Sequence, residues 1–297
     1  MKSTKTLSLI ALVIVIFIWG FDFIALEYMV DYISPVLITF IRVAIAAVVL
    51  FIVVLIKEKG LHIKKKDWPR VFLCSIFGMS LYFTVESLGV EQTSGSMASL
   101  ILATVPVFGM IADRFIYKNR ITLIKLLGIF GSILGVLVLV INTGGGLRGN
   151  FMGIFYMFIA AVVWTLFVVY TKPLYNAYSL VTVLTGLFIA ATITSIPALF
   201  VGPPLRFEPN TTAWIVLLVT TFVCIILGEF LYVNAIGRLS VTTVTLFENL
   251  LPLVTVIFSF FIFKEMLSGL QLLGGAIIIV SVSLISLKEK SSPENQA

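Results

Sequence analysis

This sequence is poor in everything a water-soluble enzyme draws on for chemistry. Only 11% of its residues are charged, against about 25% in a soluble domain. It has one histidine, His62, which lies in a basic loop, and two cysteines, Cys74 and Cys224, each inside an apolar run. No metal site can be assembled from these, no cofactor is expected, and the cysteines read as small buried hydrophobes rather than a disulfide. Thr143-Gly144-Gly145-Gly146 lacks the Gly-Lys-Ser/Thr ending of a phosphate loop. A net charge of +6 could suggest nucleic acid, but the basic residues sit in short clusters between apolar runs, so that partner is excluded.

What is abundant is apolar surface. Hydrophobic residues make up 60% of the chain, with 25 Phe, and the mean hydropathy is +1.15. Lipid is the natural solvent for such a surface, and there only helices or closed barrels satisfy the backbone. A barrel would show short alternating strands; these runs are long and continuous, so the fold class is all-α integral membrane. A span needs roughly 17–25 mostly apolar residues, which places ten transmembrane helices at 7–28, 35–56, 70–89, 96–117, 121–141, 151–171, 180–200, 212–235, 241–263 and 269–287. The first run is too long for a signal peptide and has no small-residue cleavage site after it. Turn chemistry marks Ser34-Pro35, Asn142 to Gly146 and Gly202-Pro203-Pro204. The polar tail 288–297 is expected to be disordered.

Lys and Arg set the orientation. With the N-terminus inside, Arg148, Arg206 and Lys264 lie outside, Arg42 lies within a span, and the other sixteen basic residues fall on the cytoplasmic side. Both termini are therefore expected in the cytoplasm, with the protein multi-pass in the plasma (inner) membrane.

An internal repeat is the more specific signal. Trp19 and Trp164 are 145 residues apart, and Trp68 and Trp214 are 146 apart. The offset of 146 also relates Pro106 to Pro252, Phe115 to Phe261, Lys118 to Lys264 and Gly128 to Gly274. The chain thus divides into a first repeat at 1–142 and a second at 150–287, each with five spans. Five is odd, so the second repeat enters the membrane from the opposite side: two inverted five-helix repeats. Lys264, an odd cation outside, then corresponds to cytoplasmic Lys118. Inverted repeats are a mark of secondary transporters, whose halves exchange roles around a central site.

The sequence resembles the EamA family of the drug/metabolite transporter superfamily. The resemblance is carried by Trp19-Gly20-Phe21-Asp22-Phe23, by Ser34-Pro35 through Arg42, by the stretch from Ser87-Leu88-Gly89 to Pro106, by Leu250-Leu251-Pro252 and by Phe263-Lys264-Glu265 with the Gly-rich last span. It covers about residues 7–287. Phe21 and Asp22 depart from the small polar residue and Asn that commonly follow Trp-Gly. The resemblance implies a proton- or substrate-coupled carrier, often an exporter of amino acids or related small metabolites. It also implies a central cavity lined mainly by the first four helices of each half, with the fifth outside. The alternatives are a lipid-linked sugar flippase and an intramembrane transferase. The transferase would need a cluster of acids or histidines at one membrane face, and the basic stretch Lys57 to Arg70 offers only Glu58 and Asp67.

Charge inside a bilayer is costly and needs a reason. Asp22 and Arg42 are each roughly 10 Å deep from the same face at 1.5 Å per residue, so they either pair or leave Arg42 to hold a substrate carboxylate. Against this stands an Arg42 that snorkels to the headgroups. Tyr82 lies one turn before Glu86 on the same face, a polar stripe toward a cavity unless Glu86 merely reaches interfacial water. Glu229 and Glu248 lie at about 9 and 10 Å from the inner ends of their spans, with Tyr232 three residues after Glu229. Two such carboxylates repel if both are ionised, so one is expected to hold a proton, which makes them the candidate coupling sites. Structural hydrogen bonds from a permanently protonated acid are the alternative. Trp19 and Trp164 either line the site or pack. Pro106 and Pro252 free backbone carbonyls and serve as hinge or cavity wall. The substrate-binding set is therefore Trp19, Asp22, Arg42, Tyr82, Glu86, Trp164 and Tyr232. Gly128, Gly131, Gly135, Gly269, Gly274 and Gly275 allow close helix contact, within the protomer or in a homodimer. The expected partners are a small-molecule substrate and membrane lipid.

Overall fold

The computed structural model describes residues 2–105, 107–109, 111, 123, 126–128, 130–131, 134–135, 138, 151–201, 204–236, 248, 250–264, 266 and 268–289. Pro106, Asn249 and most of the expected fifth span lie outside the described residues.

The described residues are helical almost throughout. They form α1 (Lys2–Met29), α2 (Pro35–Glu58), α3 (Trp68–Ser75), α4 (Tyr82–Gln92), α5 (Gly95–Leu102), α6 (Phe151–Ala177), α7 (Leu180–Ser195), α8 (Thr211–Thr220), α9 (Gly228–Ile236), α10 (Leu251–Phe263) and α11 (Gly269–Glu289). Among the described residues, six stretches are long and apolar enough to cross a membrane: Leu7–Met29, Pro35–Glu58, Lys65–Gln92, Phe151–Ala177, Leu180–Phe200 and Thr211–Ala235. Gly95–Gly109, Leu251–Phe263 and Leu272–Ser281 are shorter apolar helices. The chain is a multi-pass helical membrane protein. Large apolar side chains point outward, among them Phe151, Phe200, Ile56 and Phe261, as lipid permits and water does not.

Local chemistry sets the element ends. Pro35 opens α2, where its missing N–H would have been unpaired anyway. Ser179 caps α7 by accepting from the Thr182 N–H at 3.1 Å, and Asn210 caps α8 by accepting from the Ala213 N–H at 2.7 Å. α2 and α10 both end on a lysine in the left-handed conformation, Lys59 (φ 59°) and Lys264 (φ 57°), where glycine is the usual residue. Inside the bundle, Ser and Thr hydroxyls bond back to the preceding turn, as Thr84 does to Ser80, Ser87 to Phe83 and Thr171 to Phe167. Two helices extend beyond the expected ends: α6 runs on past 171 to Ala177 with Pro173 inside it. α11 runs past 287 to Glu289.

Among the described residues, two π-helical turns interrupt the bundle. One, Ile76–Leu81, joins α3 to α4; the other, Thr221–Leu227, joins α8 to α9. Adding 146 to the first gives 222–227, so the offset seen in the Trp residues also relates two backbone irregularities. Packing obeys the same exchange. α1 packs on α9 and α10, while α6, its counterpart, packs on α4 and α5, and α2 packs most extensively on its own counterpart α7. The glycine stripes are used inside the chain. A Cβ on Gly135 would lie 2.7 Å from the Gly274 carbonyl oxygen, and one on Gly131 would lie 2.2 Å from Ser281 Oγ, so both glycines lie directly against α11.

Candidate functional site

The interior contacts converge on Trp19 of α1 and Trp164 of α6, whose rings meet edge to face with centroids 5.8 Å apart. Tyr232 of α9 lies against both, at 4.8 Å from Trp19 and 5.8 Å from Trp164. Tyr82, the first residue of α4, lies 4.7 Å from Trp164. Against this aromatic group opens a cleft with about 30 Å³ of free space, lined by Trp19, Asp22, Phe23, Leu26, Tyr82, Phe83, Glu86, Trp164, Ile225, Glu229 and Leu251. A smaller cleft of about 10 Å³ is lined by Leu12, Val15, Ile16, Trp19, Tyr232, Glu248 and Leu251. Both halves of the chain wall each cleft.

The π turns decide what faces the first cleft. Such a turn leaves backbone carbonyls without their usual intrahelical donors and turns the following helix. Its freed acceptors in the second half are taken by the first half: the Trp19 indole N–H donates to the Cys224 carbonyl at 3.2 Å, and Arg42 Nη2 reaches the Thr220 carbonyl at 3.4 Å. Gly228, just after the turn, leaves room for this, since a Cβ there would sit 2.7 Å from Trp19 Nε1. In the first half the equivalent position is Tyr82, whose ring packs on Trp164 instead.

The charged side chains are arranged as follows. Arg42 and Asp22 form a buried ion pair of 2.6 Å, with the side chains 4% and 14% exposed. Asp22 is in the cleft wall; Arg42 stands behind it and is not among the lining residues. Pairing is thus the arrangement seen, rather than an open guanidinium or one snorkelling to the surface. Glu86 is buried and accepts a hydrogen bond from the Tyr82 hydroxyl at 2.8 Å, so it does not sit at a wet interface. Glu229 is 1% exposed, and its Oε2 has no hydrogen-bond partner among the described residues. Glu248 accepts from the Tyr232 hydroxyl. The structure therefore separates Glu229 from Glu248: they face adjoining clefts, and Glu229 shares its own with Glu86 and Asp22. The reason is local, since Tyr232, one turn beyond Glu229 on α9, fills the space toward Glu248.

Pro252 is buried in the first turn of α10, where a missing N–H removes no internal bond; its neighbour Leu251 reaches both clefts. Cys74 and Cys224 are free and buried. The sequence reading missed Phe23, Leu26, Phe83, Ile225 and Leu251 as wall residues. It also missed Glu27, whose carboxylate accepts from the Gly95 N–H at 2.7 Å at the start of α5. For Phe83 a signal was present, because it lies 146 residues before Glu229.

Comparison with known proteins agrees with this architecture. A protein of Archaeoglobus fulgidus named as an uncharacterised transporter is 26% identical over 97% of this chain and 99% of its own length. A second from that organism, named likewise, is 30% identical over 64% of this chain and 66% of its own length. A protein of Streptantibioticus cattleyicolor, named "probable terminal-alkyne amino-acid exporter", is 27% identical over 96% of this chain and 95% of its own length. A solved crystal structure superimposes with a TM-score of 0.70 at 16% identity, covering 98% of this chain and 99% of the other, a likeness of fold alone. The model of the EamA-like transporter family matches twice, over residues 6–141 and 151–287. Two matches of one family model, on two halves whose tryptophans meet at the centre, place this chain in the EamA-like transporter family, as a membrane transporter and not an enzyme.

Proposed function

We propose that this protein is a secondary active transporter that exports amino acids or related small polar metabolites across the plasma membrane by alternating access. In this reading ten spans form two inverted five-helix repeats, 1–142 and 150–287, with both termini in the cytoplasm. The observation that carries it is the larger cleft, buried at the Trp19–Trp164 contact and walled by helices of both halves. A site so placed changes its exposure when the halves rock against each other. Trp19, Asp22, Tyr82, Glu86 and Trp164 contact the substrate, Tyr232 closes the cleft toward Glu248, and Arg42 holds Asp22. The relative named as an amino-acid exporter supports the substrate class.

Coupling to protons is assigned to Glu229 and Glu248, which sit on either side of Tyr232. A carboxyl buried without a compensating cation can carry a proton between the two faces of a transporter.

Counterflow in proteoliposomes tests the reading, with a panel of labelled amino acids and with and without an imposed pH gradient. Saturable exchange of one class, stimulated by the gradient in wild type but not in Glu229→Gln or Glu248→Gln, is the expected result. Exchange with wild-type rate and pH response in both variants would defeat the coupling assignment. Absence of saturable exchange for every amino acid, in folded protein, would defeat the substrate class.

A further inference from the structure

The walls of the larger cleft carry acids and aromatic rings but, among the described residues, no Lys, Arg or His. Three carboxyl side chains face it: Asp22, Glu86 and Glu229. Asp22 already has its counter-charge in Arg42, at 2.6 Å, and that guanidinium also reaches the Thr220 carbonyl. Glu86 receives a neutral donor, the Tyr82 hydroxyl. Glu229 is left with a buried oxygen and no hydrogen-bond partner among the described residues. Nearly all buried polar atoms in folded proteins have a partner, and each exception calls for an explanation.

We infer that the cargo of this cleft is an organic cation: a protonated amine on a small apolar body, with its nitrogen held by Glu229 and Glu86. The inference rests on the transport reading above, narrows its cargo, and has Glu229 hold the coupling proton and the ammonium group in turn. An ammonium group offers three donors and no acceptor, which suits two carboxyls of which one lacks a donor. Trp19, Tyr82, Phe83 and Trp164 supply aromatic wall beside Phe23 and three aliphatic side chains, and an aromatic ring attracts a cation through its negative face. A substrate carboxylate finds the opposite: among the described residues no unpaired cation in the cleft wall, and three acids around it. A zwitterionic amino acid gains at one end and loses at the other. The order expected is therefore amine over amino acid over carboxylic acid. The cleft as it stands has only about 30 Å³ of free space, far below the about 300–1,000 Å³ of ligand pockets, so the body is small and the walls must part to admit it.

Three probes share one body and differ in charge: phenethylamine, phenylalanine and 3-phenylpropanoate. Their binding to the purified full-length protein in detergent is followed by tryptophan fluorescence, since Trp19 and Trp164 are in the wall, and by titration calorimetry. Phenethylamine is expected to bind at least tenfold more tightly than phenylalanine, with 3-phenylpropanoate weakest. Glu229→Gln is expected to lose tenfold or more of the phenethylamine affinity at unchanged melting temperature, and Glu229→Asp to keep most of it. If Glu229→Gln does not fold, Glu86→Gln and the ranking of the three probes on the wild-type protein decide. Phenylalanine or 3-phenylpropanoate binding as tightly as the amine overturns the inference. So do binding of none of the three and an amine affinity indifferent to both Gln variants. Counterflow of zwitterionic amino acids in the same preparation then separates the two readings: if it persists, transport stands and only the cationic cargo falls.

Discussion

Trp19 and Trp164 occupy equivalent places in the two repeats and touch each other, ring edge to ring face. Equivalent residues can meet only where the axis relating the halves passes, so this contact marks the centre of the molecule. Their environments are not equivalent. Trp19 donates its indole N–H to the carbonyl of Cys224 in a π turn, whereas Trp164 packs on Tyr82 and on Phe167, the latter at 5.1 Å.

Trp19→Phe keeps an aromatic wall and removes that donor, leaving a buried carbonyl without it. The expected cost is about 1–3 kcal/mol, the penalty for a stranded buried acceptor. Thermal unfolding in detergent is the check, and a melting temperature equal to wild type would show that another donor, or water, serves Cys224.

The Asp22–Arg42 pair makes a sharper prediction. Arg42 is buried and Asp22 is 14% exposed, and removing one partner of such a pair strands the other, at up to about 3–5 kcal/mol. Asp22→Asn and Arg42→Met are each expected to lower the melting temperature strongly. The double change is expected to recover most of the loss, because it leaves no uncompensated charge. If the double variant is as unstable as the two singles combined, the pair is not what couples α1 to α2.

Two glycines separate rigid from yielding neighbours. A Cβ on Gly78, inside the first π turn, would lie 2.1 Å from Phe167 Cδ2, while one on Gly89 would lie 2.3 Å from Met157 Sδ. Both neighbours are fully buried, Phe167 at 1% and Met157 at 0% exposed, but Phe167 offers a rigid ring, whereas the thioether of a methionine can turn aside. Gly78→Ala is expected to cost about 1–3 kcal/mol by overpacking, and Gly89→Ala clearly less. Equal melting temperatures for the two variants would show that α6 shifts as a body to accept either methyl.

Much of this architecture could be read from the chain alone. Long apolar runs located the helices, and the spacing of Trp19, Trp68, Trp164 and Trp214 located the repeat. Counting residues inward at 1.5 Å each brought Asp22 and Arg42 to one depth, where the structure pairs them. The π turns were not legible, because no residue type marks them: Ile76–Leu81 and Thr221–Leu227 read as ordinary apolar helix. They reset the face that follows, so the cleft partners of Glu229 proved to be Glu86 and Asp22 rather than Glu248. Contacts between loops far apart in sequence were equally out of reach, since nothing in Tyr178 points to Asp67.

Those loop contacts carry the last prediction. At the end expected to face outward, the segment between α1 and α2 meets the segment before α8. Ile33 and Phe207 form an antiparallel bridge, Ser34 N–H donates to the Arg206 carbonyl at 2.9 Å, and Glu208 N–H donates to the Tyr32 carbonyl at 3.0 Å. At the opposite end the Tyr178 hydroxyl bonds Asp67 at 2.5 Å, and Ser179 and Thr182 both donate to Glu58 at 2.6 Å. Tyr32 and Tyr178 are related by the offset of 146, and Ser34 and Ser179 by 145, so equivalent loop positions hold both ends, through backbone bonds at one and side-chain hydroxyls at the other. Alternating access requires each closure to open in turn. Ile33 and Phe207 are cross-strand partners, with Cα atoms about 4.5–5.5 Å apart in such a bridge, within the span of a disulfide. Native Cys74 and Cys224 are buried and do not compete. In the doubly substituted protein Ile33→Cys, Phe207→Cys, oxidation is expected to cut counterflow at least tenfold and reduction to restore it. Tyr178→Phe and Glu58→Gln, which weaken only the opposite closure, should leave substrate binding in place while changing the rate of exchange. Counterflow that continues undiminished with the outer closure covalently locked would mean that the substrate does not leave between α2 and α8, and that the closed end seen here is structural.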